Sequence, residues 1–174
     1  DVNMGCPVPK IARHHAGCSL MREPTHAAAI IKAMSSAVRI PVTVKMRAGW
    51  NEHEINAPLL ARMAEDAGAA AVAVHGRTAA QSYTGESDWS LINRVADQIS
   101  IPVLGSGDCV EPDQVVSRLS SSNVGAVLIG RGALRNPWIF KQAAEARAGL
   151  PQSDIPLEAR GQFLFDYMEL LLDE

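Results

Sequence analysis

From residue 42 onward, the sequence alternates short apolar runs with longer segments in which apolar residues recur every three or four positions. Short runs bounded by turn residues are typical of strands, and the longer period is typical of helices with one buried face. Strands that alternate with helices form parallel sheets with crossover helices. The alternation therefore favours the α/β class, with strands predicted at residues 1–3, 42–46, 70–74, 101–105 and 126–129.

The helical segments begin at recognisable residues. Pro24 and Pro112 suit the first turn of a helix, and Asp88 suits the capping position of another. Further helices are predicted at residues 56–67 and from 136 or 137 to about 148. The first two helices should each bury one stripe, formed by Ile30, Met34 and Val38 beside Ile31, and by Leu59, Leu60, Met63 and Ala67.

Composition excludes several classes of protein. With 47% hydrophobic and 20% charged residues, the chain is typical of a globular protein. Its net charge of −3 excludes a uniformly basic nucleic-acid binder, so any RNA contact must come from a local cluster or from protein outside this chain. Three cysteines without CxxC spacing favour a reducing compartment over a disulfide framework, and we expect no metal site. We expect a cytoplasmic protein with no membrane partner, because no apolar stretch approaches the roughly 20 residues that span a bilayer.

The composition changes near Gly149. Residues 150–156 contain two prolines and are predicted to form a linker. Two apolar rows at a spacing of four then follow and need a partner: Phe163, Tyr167 and Leu171 beside Leu164, Met168 and Leu172. We therefore predict one domain at residues 1–149, and a linker with the first helix of a helical domain at 150–174. Because the sequence starts without Met, at what resembles the end of a strand, we expect a piece of a longer protein.

The residues that follow the predicted strands are polar or rich in glycine. In parallel α/β proteins, ligands bind beyond the carboxyl ends of the strands. Segments 105–108 and 130–132 contain glycine turns whose free N–H groups suit a phosphate, and Arg131 adds a charged donor. The alternative is that Gly107 and Gly132 only make tight turns. The other strand ends, at 3–7, 45–47 and 75–78, supply a thiol and cations.

Three of these residues have a chemical and a structural interpretation. Lys45, at the end of an apolar run, needs an acceptor, either an anionic ring in a site or an internal carboxylate such as Asp108. His75 is a site residue or a hydrogen-bonded core histidine. Cys6 is a nucleophile or proton donor, or an inert thiol. A site role for Cys6 is favoured by the basic residues of its loop, which are Lys10, Arg13, His14 and His15.

Several motifs together resemble the tRNA-dihydrouridine synthase family, in particular its bacterial branch. They occur in order over residues 1–140. The motifs are Asn3-Met4-Gly5-Cys6-Pro7 followed by Lys10 and Ala16-Gly17, Val44-Lys45-Met46-Arg47, Val74-His75-Gly76-Arg77-Thr78, Tyr83-Thr84-Gly85 with Asp88-Trp89, Gly105-Ser106-Gly107-Asp108, and Gly130-Arg131 running into Asn136-Pro137-Trp138-Ile139-Phe140.

The resemblance implies part of a (β/α)8 TIM barrel followed by the start of a helical tRNA-binding domain. It also implies an FMN enzyme that passes hydride from NADPH to C6 of a uracil in tRNA while Cys6 protonates C5. Lys45 and His75 would lie against the flavin, and its phosphate would be held by Ser106, Gly107, Asp108, Gly130 and Arg131. The expected tRNA contacts are Lys10, Arg13, His14, Arg47 and Arg77.

Two departures from the family pattern matter. Ser106 stands where the family usually has Asn, and only four strands and the end of a fifth are present, so the rest of the barrel and most of the helical domain would lie elsewhere in the parent protein. Two other functions stay open. One is an FMN barrel that acts on a small molecule such as dihydroorotate, and the other is a non-catalytic barrel fragment.

Overall fold

The computed structural model describes residues 1–172 and contains one sheet of five parallel strands. Each strand lies within two residues of the bounds predicted from the sequence. The strands are β1 (Val2–Met4), β2 (Thr43–Arg47), β3 (Ala71–His75), β4 (Val103–Ser106) and β5 (Ala126–Leu128).

The strands lie in the sheet in the order in which they occur in the chain, β1-β2-β3-β4-β5. A doubly wound sheet would reverse its order at one point. Because crossovers between parallel strands are right-handed, a sequential order places all the connecting helices on the same face. This is the arrangement of consecutive units of a (β/α)8 barrel, so the predicted partial barrel is confirmed.

The helices confirm the boundary residues read from the sequence. Pro24 and Pro112 begin α2 and α5, and the Asp88 side chain accepts a hydrogen bond of 2.9 Å from the Leu91 N–H at the start of α4. The helices are α1 (Pro9–Ala12), a 3₁₀ helix (Gly17–Arg22), α2 (Pro24–Ala37), α3 (Ala57–Asp66), α4 (Trp89–Ala96), α5 (Pro112–Ser120), α6 (Arg131–Arg135), α7 (Ile139–Arg147) and α8 (Leu157–Leu172).

The core lies between the sheet and the helices. Val44 and Met46 of β2 are fully buried there, whereas Lys45 between them is on the opposite face and half-buried. The same alternation occurs in β1 and β4. The buried cluster includes Val2, Met4, Val72, Val74, Val103, Ile31, Leu60, Ile92, Val95, Val115 and Ile139.

The predicted stripes of α2 and α3 are partly wrong. α2 buries Ala27 and Ile31 and leaves Met34 and Val38 exposed. α3 buries Leu60 with Ala61 and Ala64, but leaves Leu59 exposed. The buried faces are lined with alanine because a small side chain lets a helix backbone approach its neighbours closely. The spacing of the large apolar residues therefore predicted, for each helix, a face that is rotated relative to the face that is buried.

The last helix, α8, has no buried residue among those described. One of its contacts is between the rings of Phe163 and Trp138, the residue directly before α7, whose centroids are 5.3 Å apart at 58°. The predicted division between residues 1–149 and 150–174 stays a prediction, and residues 173 and 174 lie outside the described part. Among residues 1–172, no helix combines the length and apolarity needed to cross a bilayer.

Replacement of Gly105 by alanine tests the packing of β4 against α4. A Cβ at Gly105 would lie 2.5 Å from the Trp89 ring, so the ring must shift. We expect Gly105→Ala to lower the free energy of unfolding by about 1–3 kcal/mol in urea titrations.

The matched control is Gly161→Ala in α8, where no atom lies within 4 Å of the added Cβ. This change should stabilise the helix by about 0.5–1 kcal/mol because glycine is a poor helix former. Equal effects of the two substitutions would contradict the packing described here.

Candidate active site

A cavity of about 240 Å³ lies at the carboxyl ends of the strands. All seven residues predicted to bind a cofactor line it, together with Gly5, Arg47 and Tyr83. The seven come from four strands and the turns after them: Lys45, His75, Ser106, Gly107, Asp108, Gly130 and Arg131. The sequence-based grouping of these residues is therefore reproduced in space, while their binding role remains untested.

The register of the sheet explains why these side chains meet. Arg47 pairs with His75, His75 pairs with Ser106, and Ser106 pairs with Leu128, so the four form one row at the carboxyl edge. Lys45 lies two residues earlier on the same face of β2. His75 Nδ1 and Ser106 Oγ are 3.3 Å apart within this row.

The turn after β4 requires glycine for reasons internal to the fold. Gly107 has φ +133°, and a Cβ there would collide with the Ser87 side chain. Trp89 Nε1 donates a hydrogen bond of 2.9 Å to the Gly107 carbonyl. A Cβ on Gly132 would likewise collide with the Cys109 carbonyl. Tight packing thus accounts for Gly107 and Gly132, as the alternative interpretation proposed, and does not by itself indicate a ligand.

Gly130 differs from these two glycines. No atom lies within 4 Å of the position that its Cβ would occupy, although the residue lines the cavity. The next residue, Arg131, has an exposed guanidinium. The turn after β5 therefore presents open main chain and a cation to the cavity, which suits an anionic group.

Cations outnumber carboxylates around the cavity. Lys45, Arg47 and Arg131 line it, and Asp108 is the carboxylate among the lining residues. Burial, with a contribution from Arg47, lowers the pKa of Lys45. No carboxylate of residues 1–172 lies within ion-pair distance of its Nζ. The alternative that Lys45 pairs with Asp108 is wrong, because Asp108 contacts arginines instead.

Asp108 is held by its neighbours in the protein. Its carboxylate accepts hydrogen bonds from Ser87 N at 2.7 Å and from Arg77 Nη2 at 2.9 Å, and Arg131 Nη2 lies 3.3 Å away. Burial alone would raise its pKa, but the Ser87 N–H and the Arg77 guanidinium outweigh this effect and the pKa is lowered. Asp108 is therefore ionised at neutral pH and orients Arg131.

His75 is neutral and incompletely hydrogen-bonded. Burial, with the charges of Arg47 and Lys45, lowers its pKa to about 4. Its Nε2 atom is buried and has no hydrogen-bond partner within the described part of the chain. A histidine that only completed the core would have both nitrogens satisfied. The free Nε2 therefore favours a site role for His75.

Cys6 lies in the β1–α1 loop beside the cavity. Asn3 Oδ1 accepts hydrogen bonds from the N–H groups of Gly5 and Cys6, at 3.0 and 3.1 Å, and so fixes the loop. Gly5 lines the cavity and Cys6 is half-exposed next to it. The other two cysteines, Cys18 and Cys109, are buried, and burial raises the pKa of each thiol. Cys6 is thus the most accessible of the three.

The five residues predicted to contact tRNA separate into two groups. Lys10, Arg13 and His14 are exposed on α1 and the turn after it, in the loop that carries Cys6. Arg47 and Arg77 are both buried. Arg47 lines the cavity while donating to the carbonyls of Gly5, Thr78 and Ser82 at 2.8 to 3.0 Å.

The expected contact of Arg77 with tRNA stays a prediction, and in this structure the Arg77 side chain is buried. Its side chain is 3% exposed and donates to the carbonyls of Thr84 and Gly85 and to Asp108. The position after β3 suggested exposure, but the guanidinium lies beneath the following loop, where it satisfies main-chain acceptors.

Sequence analysis did not assign Tyr83 to the site. Tyr83 lines the mouth of the cavity, is 61% exposed, and has the Arg131 guanidinium 5.0 Å from its ring centroid. An exposed aromatic residue in a glycine-containing turn after a strand was the signal that could have found it.

Comparison with known proteins connects this site to one family. The model of the family described as dihydrouridine synthase (Dus) matches residues 1–171. A probable tRNA-dihydrouridine synthase of Rhodobacter capsulatus is 39% identical over 173 residues, covering 99% of this chain and 53% of the relative. A probable tRNA-dihydrouridine synthase of Rhizobium leguminosarum is 45% identical over 150 residues, covering 84% and 47%. The chain spans about half the length of these relatives.

A solved structure supports the fold alone. A crystal structure of dihydrodipicolinate synthase superposes with a TM-score of 0.50 at 22% identity, over 68% of this chain and 43% of that one.

The titration of His75 tests the electrostatics of the cavity. We expect an NMR midpoint near pH 4 rather than 6.5. Because the unfolded chain would bind this proton more tightly, the contribution of neutral His75 to stability is complete above about pH 6.5 and is lost as the pH falls toward 4. His75→Gln should remove that part of the pH dependence of unfolding, whereas a midpoint between pH 6 and 7 would contradict the burial described here.

Proposed function

We propose that this chain, which belongs to the dihydrouridine synthase family, forms part of an enzyme that reduces uridine in tRNA to dihydrouridine. The observation that carries the proposal is the cavity, where seven residues selected from the sequence meet beside Cys6. We further propose that residues 1–149 belong to the catalytic barrel and 150–174 to a linker and the first helix of a tRNA-binding domain. Because the proposed substrate is tRNA and the proposed reductant is NADPH, we propose that the reaction takes place in the cytoplasm.

The cavity fits FMN in its donor set. The open main chain at Gly130, the N–H groups of the Gly107 turn and the Arg131 guanidinium suit a phosphate. Lys45 has no protein carboxylate within ion-pair distance among the described residues, so its charge is available to an electron-rich ring. When bound, FMN supplies the hydride that it takes from NADPH and that reduces C6 of the uracil.

His75 and Ser106 act as a pair in this proposal. The contact of 3.3 Å between His75 Nδ1 and Ser106 Oγ orients the ring at the cavity, and Nε2 is the ring nitrogen left without a partner among the described residues. Ser106, where the family usually has Asn, thus orients His75 rather than replacing an amide contact. Asp108 acts through Arg131, which it holds at 3.3 Å, rather than through the cofactor itself. A carboxylate directly against a phosphate would be repulsive.

Cys6 supplies the proton that completes the reduction. The thiol gives its proton to C5 of the uracil, and the ring then has one new C–H bond at C5 and one at C6. The Arg47 side chain donates to the carbonyl of the adjacent Gly5 at 2.8 Å, so a cation is held against the loop that carries Cys6. Regeneration of the thiol then needs only a proton from solvent.

The exposed cations beside Cys6 suit a polyanionic substrate. Lys10, Arg13 and His14 share the loop of the proposed proton donor, so phosphates bound there would bring a nucleotide close to the cavity. A uracil that reaches Cys6 must leave its stack in the RNA. These features favour tRNA over a small molecule such as dihydroorotate as the substrate.

Replacement of Cys6 separates the two halves of the proposed reaction. In the complete protein, Cys6→Ala should retain FMN and its reduction by NADPH, because the thiol is needed only at the uracil. Reduction of tRNA should fall by about 10² to 10⁴, the usual contribution of a general acid. Single-turnover assays with tRNA, and flavin absorbance without it, measure the two steps.

Two further variants control this experiment. Cys6→Ser keeps the size of the side chain but is a much weaker acid, so it should be as impaired as Cys6→Ala. Cys18→Ala removes a buried thiol of the same region and should turn over normally. Normal tRNA reduction by Cys6→Ala would remove Cys6 from the mechanism.

Replacement of Arg131 tests the phosphate end of the cavity. Arg131→Ala should weaken FMN binding by about 1.5–3 kcal/mol, the value of a hydrogen bond with a charged donor. Arg135→Ala is the matched control, because Arg135 lies on the same helix, is exposed and pairs with Glu111 outside the cavity. Flavin titration of the apoprotein measures both, and equal affinities would show that Arg131 does not contact FMN.

A further inference from the structure

Arg77 is a buried charge whose guanidinium is hydrogen-bonded through Nε and Nη2, while Nη1 has no partner among the described residues. Its Nε donates to the Thr84 carbonyl at 3.0 Å, and its Nη2 donates to the Gly85 carbonyl at 2.6 Å and to Asp108. The side chain does not line the cavity. A buried guanidinium is costly unless acceptors surround it. The structure therefore uses Arg77 to join groups that would otherwise be separate.

The first of these groups is the loop after β3, which we call the Tyr83 segment and define as residues 78–87. Its backbone has left-handed φ values at Ser82 and Gly85, +51° and +65°. The segment is held by guanidinium groups at four carbonyls, two bonded to Arg77 and two, those of Thr78 and Ser82, bonded to Arg47. The two bonds of Arg77 fall on the residues immediately after Tyr83.

The second group is the glycine turn after β4. Asp108 also has a left-handed backbone, with φ +51°, directly after Gly107. Its carboxylate bonds both Arg77 and the Ser87 N–H of the Tyr83 segment. The Tyr83 segment and the glycine turn are thus linked twice, once through a side chain and once through main chain.

The contacts close into a ring around the mouth of the cavity. Arg77 holds the residues after Tyr83, the Tyr83 ring contacts Arg131 at 5.0 Å, and Arg131 lies 3.3 Å from Asp108. Asp108 in turn bonds Arg77. An anion bound by Arg131 would therefore act on a residue that already touches both Tyr83 and Asp108.

We propose that Arg77 is a positioning residue that ties the Tyr83 segment to the turn at Gly107 and Asp108, and so sets where the Tyr83 ring stands at the cavity mouth. Arg77 touches no ligand in this role. It makes the geometry of the Tyr83 segment depend on the turn at Gly107 and Asp108. This inference rests on the proposed function for its kinetic consequence only, because the coupling itself is a property of the chain.

Two substitutions of Arg77 separate charge from positioning. Arg77→Lys keeps a positive charge near Asp108 but cannot reproduce the planar fork that reaches two carbonyls and a carboxylate. Arg77→Met removes both the charge and the fork. Arg62→Lys, an exposed arginine of α3, is the matched control. If Arg77 only balanced the charge of Asp108, Arg77→Lys would behave as wild type.

Hydrogen exchange of the complete protein is the primary measurement. Both Arg77 variants should speed amide exchange at residues 82–87 by about tenfold or more, as expected when hydrogen bonds from a charged donor are lost. Amides of β2 and β3 should exchange at wild-type rates, as should all amides of Arg62→Lys. Unchanged exchange at residues 82–87 in both variants would overturn the proposal. Faster exchange throughout β2 and β3 in both variants would also overturn the proposal, since Arg77 would then support the whole sheet.

The kinetic measurement distinguishes positioning from a general structural role. Both variants should raise KM for tRNA by about tenfold while flavin content and the rate of flavin reduction by NADPH stay within about twofold of wild type. Parallel loss of flavin and of tRNA reduction would contradict positioning. If the wild-type protein does not reduce tRNA, the proposed function fails, and the exchange experiment still decides the role of Arg77.

Discussion

The site depends first on the hydrogen-bonded register of the parallel sheet. Because the strands run in the same direction and in sequential order, their carboxyl ends fall in one row: Arg47, His75, Ser106 and Leu128. The loops that follow the strands therefore lie next to one another at this edge of the sheet. Lys45 on β2 and Arg131 after β5 are far apart in the sequence and have two strands between them, yet both line the same cavity because all the strands end at the same edge of the sheet. Main-chain pairing of the strands thus determines which side chains meet in the cavity.

The two faces of the sheet have different roles, one in packing and the other in the cavity. Residues such as Val44 and Met46 pack against the helices and provide the burial that keeps the sheet together, while the alternate positions carry Lys45 and His75. Period-two alternation makes this division automatic. It also means that cations are held near one another at partial burial, which lowers the pKa of Lys45 and of His75. Such crowding of like charge is tolerated where an anion can be bound.

Much of this arrangement could be predicted because it depends on local rules. The strands, the proline starts of α2 and α5 and the Asp88 cap each follow from a few neighbouring residues. The lining of the cavity followed from one further rule, that ligands bind at the carboxyl ends of parallel strands. The short helices α1 and α6 were missed because four or five residues are too few to show a helical repeat of apolar residues.

The errors concern orientation in three dimensions. The buried faces of α2 and α3 were misplaced because closeness of approach, set by Ala27, Ala61 and Ala64, outweighed the size of Met34 or Leu59. The burial of Arg77 could not be predicted, because nothing in its sequence neighbourhood shows that the carbonyls of Thr84 and Gly85 would fold back over it. A binding turn made of backbone has a different consequence. In the proposed site the donors at Gly107 and Gly130 are main-chain N–H groups, which every residue except proline has, so a change of a neighbouring side chain such as Ser106 would leave them in place. Gly107 has no such freedom, because a Cβ there would collide with the Ser87 side chain, so the turn is most constrained at a position that has no side chain.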